Sequence, residues 1–170
     1  DQTRMMSIVT TGAETGYYVD VFRSRKEKGG DKMHDYFYHN LGQTLTLTTA
    51  DGSDLNLQPT EELAFAGAHL YAYSYLYDKK VAATNKDVKA TFTIDMKDKD
   101  GDDIYMNLWM KGEPDREVFT ALAPMTEGLS RTPNMPYNIK EQPTLTFVAR
   151  QHGEAWNRPF VSILSLIHIS

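Results

Sequence analysis

The chain has 170 residues, of which 41% are hydrophobic and 24% are charged, and it contains no cysteine. This length favours one domain, and the lack of cysteine excludes disulfides, thiolate metal ligands and a cysteine nucleophile. The formal net charge of -5 argues against a nucleic-acid-binding protein, and no apolar run approaches the ~20 residues needed to span a bilayer.

Both ends of the sequence are unusual. The chain begins at Asp1 without an initiator methionine, so we expect that a preceding segment is absent. Residues 164–170 follow a strand-like stretch without a turn residue, and their sequence resembles a translated sequencing-adapter end. We therefore expect a β-sandwich domain over residues 1–163, truncated at its N-terminus, and a non-native tail over 164–170. A natural C-terminal strand is the alternative.

Period-two alternation of apolar and polar residues recurs along the chain, whereas the helical period of 3.6 does not. The alternating segments are rich in Thr, Val, Tyr and Phe and are separated by turn clusters of Gly and Asp. The predicted strands are 17–23, 35–39, 44–49, 69–77, 88–96, 104–110, 117–121, 144–150 and 160–163. Short strands at regular spacing predict an all-β fold, an antiparallel β-sandwich of two layers.

Two segments interrupt this regularity. Residues 58–68 are compatible with a short helical turn or a loop over the sheet. Residues 123–143 contain four prolines and predict a long ordered loop. Loops of this length in a compact domain are usually functional or packed on another domain.

Asp20 lies between two aromatic residues on one face of the first predicted strand. A carboxylate buried in such a place without a partner carries a large desolvation penalty. The position therefore requires a metal ion, an arginine or several hydrogen-bond donors.

A second cluster follows, with His34, Asp35, Tyr36 and His39 within six residues. Histidine and carboxylate are the usual zinc ligands where cysteine is lacking. A tyrosine beside a cation can have its pKa lowered enough to act as a base. The alternative is a strand pair with one satisfied aspartate and amphipathic histidines, and the spacing alone leaves both interpretations open.

Other polar and aromatic residues have simpler interpretations. The acidic run over 98–103 departs from the spacing of a calcium-binding loop and predicts a hairpin turn. His69 and His152 are isolated in the sequence, which favours edge or loop positions. The tyrosines at 71–77 and the two tryptophans are compatible with stacking on sugar rings or with cross-strand packing.

Taken together, these motifs resemble the β-sheet domain of the heparinase II/III-like polysaccharide lyases, over most of residues 15–163. The resemblance is carried by residues 20–23, the glycine-bearing turn at 29–30, the His-Asp-Tyr motif within 34–39, and the segments 144–150 and 158–163. It implies the C-terminal β-sandwich of a protein whose N-terminal α/α toroid is absent. It also implies cleavage of a uronic-acid polysaccharide, glycosaminoglycan-like or alginate-like, by β-elimination.

The resemblance implies roles for five residues. Tyr36 corresponds to the catalytic tyrosine of the sandwich, which faces the cleft, and His34 is its catalytic neighbour. Arg23 is expected to bind substrate. Asp20 and His39 are expected to bind a structural zinc ion.

The same resemblance implies an acidic polysaccharide and the missing toroid as partners, no nucleic acid, and a periplasmic or secreted location. Lyase turnover is expected from the intact parent and not from this fragment. Two alternatives stay open at this point. One is a non-catalytic carbohydrate-binding or structural module, and the other is an accessory domain of a hydrolase.

Overall fold

The structure, a computed structural model, describes residues 1–28, 30–64, 71–96, 102–126 and 142–168. Within these ranges the chain forms eleven strands and a short 3-10 helix. They are β1 (Gln2–Thr10), β2 (Gly16–Ser24), β3 (Met33–Asn40), β4 (Thr44–Thr49), β5 (Gln58–Pro59), the 3-10 helix (Tyr71–Tyr75), β6 (Tyr77–Ala83), β7 (Val88–Ile94), β8 (Ile104–Met110), β9 (Arg116–Ala123), β10 (Thr144–His152) and β11 (Ala155–His168).

The strands form two antiparallel sheets, which confirms the predicted all-β sandwich. Sheet A has six strands in the order β1-β2-β11-β8-β7-β4, and sheet B has five in the order β3-β10-β9-β6-β5. Each sheet therefore combines strands from distant parts of the chain. No helical segment in the described ranges has the length and apolar character that crossing a bilayer requires.

The core between the sheets follows from the alternation of side chains along the strands. Phe92, Leu108 and Phe160 project from sheet A, and Phe147 and Val118 project from sheet B, all with no more than 1% exposure. Their burial removes large apolar surfaces from water, which is the main contribution to the stability of such a domain.

The outer face of sheet B is covered as well. Leu63 and Leu76 pack against Phe119 and Val148 in a second apolar cluster. Val148 is fully buried although it points away from the main core, because the segment that precedes β6 lies over this face. Residues 145–151 of β10 are buried without interruption, which reflects this burial on both sides.

One predicted strand is wrong. Residues 71–75 form the 3-10 helix rather than the middle of a strand over 69–77, and residues 69 and 70 lie outside the described ranges. The alternating tyrosines imitate a strand pattern, but the backbone changes direction after the helix. Asp78 has a positive φ of 46°, and the pairing of β6 with β9 shifts register between Tyr77 and Lys80.

The sequence pattern also missed β1, β5 and β6. β1 is an edge strand whose side chains are nearly all exposed, so its sequence carries no alternating pattern. β11 is longer than predicted and continues through residues 164–168, with Leu164 in the main core. The expectation of a non-native tail over 164–170 stays a prediction. Most of the acidic turn over 98–103 lies outside the described residues.

Candidate functional site: the outer face of sheet B

Asp20 and Tyr36 lie opposite each other across the sandwich. The Tyr36 hydroxyl donates a hydrogen bond to Asp20 Oδ2 at 2.8 Å and lies 3.2 Å from Ser162 Oγ. Asp20 has 0% exposure and Tyr36 has 2%. The Tyr36 ring packs against Phe22 and Phe160. These residues therefore form a polar contact inside the core.

Arg4 compensates the charge of Asp20. Its Nε lies 3.0 and 3.1 Å from the two Asp20 carboxylate oxygens, and its Nη2 lies 2.5 Å from Oδ2. The guanidinium also sits 5.5 Å from the centroid of the Tyr36 ring. The sequence left a metal ion, an arginine or several hydrogen-bond donors as possible partners of a buried Asp20. The structure shows the arginine.

The expectation that Tyr36 faces an open cleft is wrong. Its ring is sealed in the core, and burial raises the pKa of its phenol far above the ordinary value. A base must reach the substrate proton within hydrogen-bond distance. The catalytic role of Tyr36 stays a prediction of the resemblance, and this position does not supply the open surface that the role requires.

The residues expected to bind zinc do not fit that role. Asp20 points between the sheets and is already bonded to Arg4 and Tyr36, whereas His39 lies on the outer face of sheet B, stacked on Phe37. The Nδ1 atom of His39 is 2.9 Å from Thr146 Oγ1. No group of three or more potential metal ligands occurs within the part of the chain that the structure describes.

The two other predicted site residues are also separate from any shared centre. His34 is only 10% exposed, and its ring nitrogens are each 2.8 Å from an oxygen, one of Ser24 and the other of Asp31. Arg23 donates a hydrogen bond to the Trp156 carbonyl at 2.8 Å. Because side chains alternate along β2, Arg23 and Asp20 point to opposite faces. The five predicted residues therefore do not form one site.

A different cluster occupies the outer face of sheet B. Arg150 binds Asp35 through two hydrogen bonds of 2.8 Å each, and both side chains are 8% exposed. Tyr73 donates a hydrogen bond to Asp35 at 2.6 Å, and Glu62 lies 3.3 Å from Arg150. Glu62 and Tyr73 belong to the stretch that precedes β6 and lies over this face, here called the covering segment (described residues 61–64 and 71–76). This network therefore fastens the covering segment to the sheet.

Next to the network lies a cavity of about 460 Å³, here called the aromatic pocket. It is lined by Phe37, His39, Ala72, Tyr73, Tyr75, Leu76, Ala123 and Pro124. Burial raises the pKa of the Tyr73 phenol and lowers the pKa of His39, so both side chains are neutral at neutral pH. Tyr75 is 62% exposed at the edge of the pocket.

An uncharged pocket with aromatic rings and a few polar groups suits a sugar ring, whose C–H faces stack on aromatics. The sequence indicates the aromatic pocket only in part. The tyrosines at 71–77 are possible stacking residues from the sequence alone, but the pocket also depends on Phe37 and His39 from a distant strand. In the sequence, the Asp35–Arg150 network is indicated only by the presence of these two charged residues within predicted strands.

The chain is 35% identical over 167 residues, 96% of its length, to an endo-acting ulvan lyase of Formosa agariphila. The chain is homologous to part of a polysaccharide lyase. It spans 19% of the length of that relative. No protein-family model matches the chain, and no solved structure gives a significant match.

We predict that Arg4→Ala lowers the free energy of unfolding by about 3 kcal/mol, because the substitution leaves Asp20 buried without its cation. Urea denaturation measures this. The control is Arg25→Ala, which removes an exposed pair with Asp1 and should cost no more than about 1 kcal/mol. Equal losses from the two variants would contradict the assignment.

We also predict a stability contribution from His39 that depends on pH. The pKa of His39 in the folded chain lies below the ordinary value of 6.5 because of burial. As the pH decreases, the His39 imidazole is therefore protonated in the unfolded chain at a higher pH than in the folded chain. The free energy of unfolding falls as pH decreases from 6.5 towards the folded-state pKa. In His39→Gln this part of the pH dependence should disappear in denaturation curves measured between neutral and mildly acidic pH. An unchanged slope would show that His39 is not buried in its neutral form.

Proposed function

We propose that the chain is the β-sandwich portion of a lyase that cleaves a uronic-acid polysaccharide by β-elimination. The observation that carries the proposal is the 35% identity to an endo-acting ulvan lyase over nearly the whole chain. In this reaction a base removes the proton at C5 beside the carboxylate, and the oxygen at C4 leaves. The enolate-like intermediate requires neutralisation of the carboxylate.

Within such a lyase, the role that we propose for this chain is substrate binding on the outer face of sheet B. The predicted catalytic tyrosine is buried, whereas the aromatic pocket is open and suited to a sugar ring. The base and the carboxylate-neutralising groups then come from another part of the parent protein. An α/α toroid of the heparinase II/III-like type is the part that the resemblance implies, and secretion follows because a polymeric substrate is cut outside the cytoplasm.

An apolar surface on sheet A supports packing against another domain of the same protein. Met6, Ile8, Tyr18 and Leu166 are each at least 44% exposed, although alternation places them on the side of sheet A that faces sheet B. They belong to one surface, and Ile8, Tyr18 and Leu166 border a cavity of about 850 Å³. Exposed apolar patches of this kind mark interaction sites.

The reaction class is tested by product analysis. We expect the intact parent to produce 4,5-unsaturated uronic acid from ulvan, detected by the ultraviolet absorbance of the new double bond, and the 170-residue chain alone to produce none. Heparin, heparan sulfate, chondroitin and alginate serve as alternative substrates. Saturated products from the parent would show hydrolysis and contradict the proposal, and turnover by the isolated chain would contradict the placement of the catalytic groups elsewhere.

A second candidate function is a carbohydrate-binding module without any part in the reaction, and the aromatic pocket favours it. Deletion of this domain from the parent distinguishes the two. If the sandwich shapes the cleft, deletion should slow cleavage of short soluble oligosaccharides as well as polymer. If it is only a binding module, cleavage of short oligosaccharides should be unchanged.

Both candidates predict that Tyr75 contributes to glycan binding. Tyr75→Ala should weaken binding of ulvan oligosaccharides to the chain by about three- to tenfold, roughly 1 kcal/mol, because it removes one stacking ring. Isothermal titration calorimetry measures this. Tyr18→Ala, an exposed tyrosine on sheet A, is the matched control and should leave the affinity unchanged. Equal effects, or none, would exclude the aromatic pocket as the binding site.

A further inference from the structure

A second cavity lies at the other end of sheet B, between the β8–β9 turn and the β10–β11 turn. It has a volume of about 500 Å³, and five of its lining residues carry a charged group or an imidazole. They are Asp115, Arg116, Glu117, His152 and Arg158. We call it the strand-end cavity. None of these residues was assigned a role by the sequence motifs.

Arg116 is a buried cation without a carboxylate bonded to it. It is 3% exposed, its Nε lies 3.2 Å from Gln151 Oε1, and its Nη1 donates to the Lys111 carbonyl at 2.6 Å. Its Nη2 is buried and makes no hydrogen bond with the described residues. The carboxylate of Glu113 acts on Arg116 through its charge, but it is hydrogen-bonded to Lys111 at 2.5 Å. The positive charge of Arg116 is therefore poorly compensated.

Burial lowers the pKa of Arg116 to about 10, so the guanidinium remains charged at neutral pH. A buried charge of this kind is stabilised when an opposite charge comes near, even without direct contact. The guanidinium also lies 4.8 Å from the centroid of the Phe160 ring, which holds it in place.

Arg158 stands at the mouth of the same cavity with weak contacts. Its side chain is 32% exposed and lies 3.6 Å from Asp115, which is itself 70% exposed. Its two other contacts are long, 3.3 Å to the Pro114 carbonyl and 3.5 Å to the His152 carbonyl. The guanidinium is therefore free to exchange these contacts for a stronger, bidentate anion.

The surroundings of Arg158 contain few direct competitors for its guanidinium. Gly153, with a φ of +77°, has no side chain, and a Cβ at this position would lie 3.7 Å from Arg158 Nη2. The carboxylate of Glu117 is already bonded to His152 Nε2 at 2.6 Å, and Asp115 is the carboxylate that an anion would displace. The cavity thus combines a partly exposed guanidinium with a buried one.

We propose that the strand-end cavity binds an anionic group, a carboxylate or a sulfate ester, through Arg158, with Arg116 behind it providing long-range stabilisation. The identification of that anion as part of a polysaccharide rests on the proposed function. His152 and the aromatic pocket lie on the same face of sheet B. His152 lies six positions after Thr146, the partner of His39, along β10, which corresponds to about 20 Å. One extended polysaccharide chain is long enough to reach both cavities.

The test is a titration of the 170-residue chain followed by nuclear magnetic resonance, with the Gly153 amide and the Arg158 Nε–H as reporters. The probes are methyl glucuronide, methyl sulfate and, as a neutral control, methyl glucoside, all at constant ionic strength in chloride. We expect saturable shifts of both reporters with at least one anion and none with methyl glucoside. The anion that causes the shifts shows whether the site recognises a carboxylate, a sulfate ester or both.

Arg158→Gln should weaken this binding at least fivefold, and Arg158→Lys should weaken it less because the charge remains. Arg25→Gln, at an exposed arginine directly after β2, should leave the affinity unchanged. No saturable shift with either anion, or equal affinity in Arg158→Gln, would overturn the proposal. Failure of the parent to make unsaturated products would instead refute the lyase assignment and leave anion binding intact.

Discussion

A single buried carboxylate determines the arrangement of the two sheets near β1, β2 and β3. Asp20 has no exposed surface, and it is held by Arg4 from the edge strand and by the Tyr36 hydroxyl from the opposite sheet. This carboxylate strongly favours the packing in which Arg4 and Tyr36 reach it, because any other packing would leave a buried charge unpaired. The interaction adds a side-chain contact to the backbone pairing of β1 with β2, and through Tyr36 it connects sheet A to sheet B.

This interaction also explains why the motif carries a structural role here. Asp20 and Tyr36 do come together, but they meet inside the sandwich. The open surfaces that carry aromatic or charged side chains lie on the other face of β3 and β10. There the Asp35–Arg150 pair fastens the covering segment, and the aromatic pocket and the strand-end cavity flank the fastened region.

Much of the fold could be predicted from the sequence because alternation reports burial on one face of a sheet. β4 and β8 have the predicted bounds, and the others that were predicted differ by a few residues at their ends, except β11. The pattern failed where burial does not alternate. β1 is exposed on both faces, and Tyr71–Tyr75 alternates in sequence but packs as a 3-10 helix over sheet B.

The candidate site was less predictable, since it depends on pairing between strands far apart in sequence. Arg150 meets Asp35 across 115 positions, and Arg116 lies over Phe160, which no local spacing indicates. Conversely, His34 and His39 are close in sequence but lie on opposite faces of one strand. Homology supports the class of protein, whereas the proposal for the binding surface depends on contacts that only the structure shows.

The claim that the outer face of sheet B is the polysaccharide-binding surface is tested most directly by hydroxyl-radical footprinting with and without ulvan oligosaccharides. The account predicts protection of Tyr75 beside the aromatic pocket and of Met33, which pairs with His152 and is 50% exposed. Met5, Met6 and Tyr18 on sheet A should remain reactive. Protection confined to those three residues, or no protection at all, would contradict it.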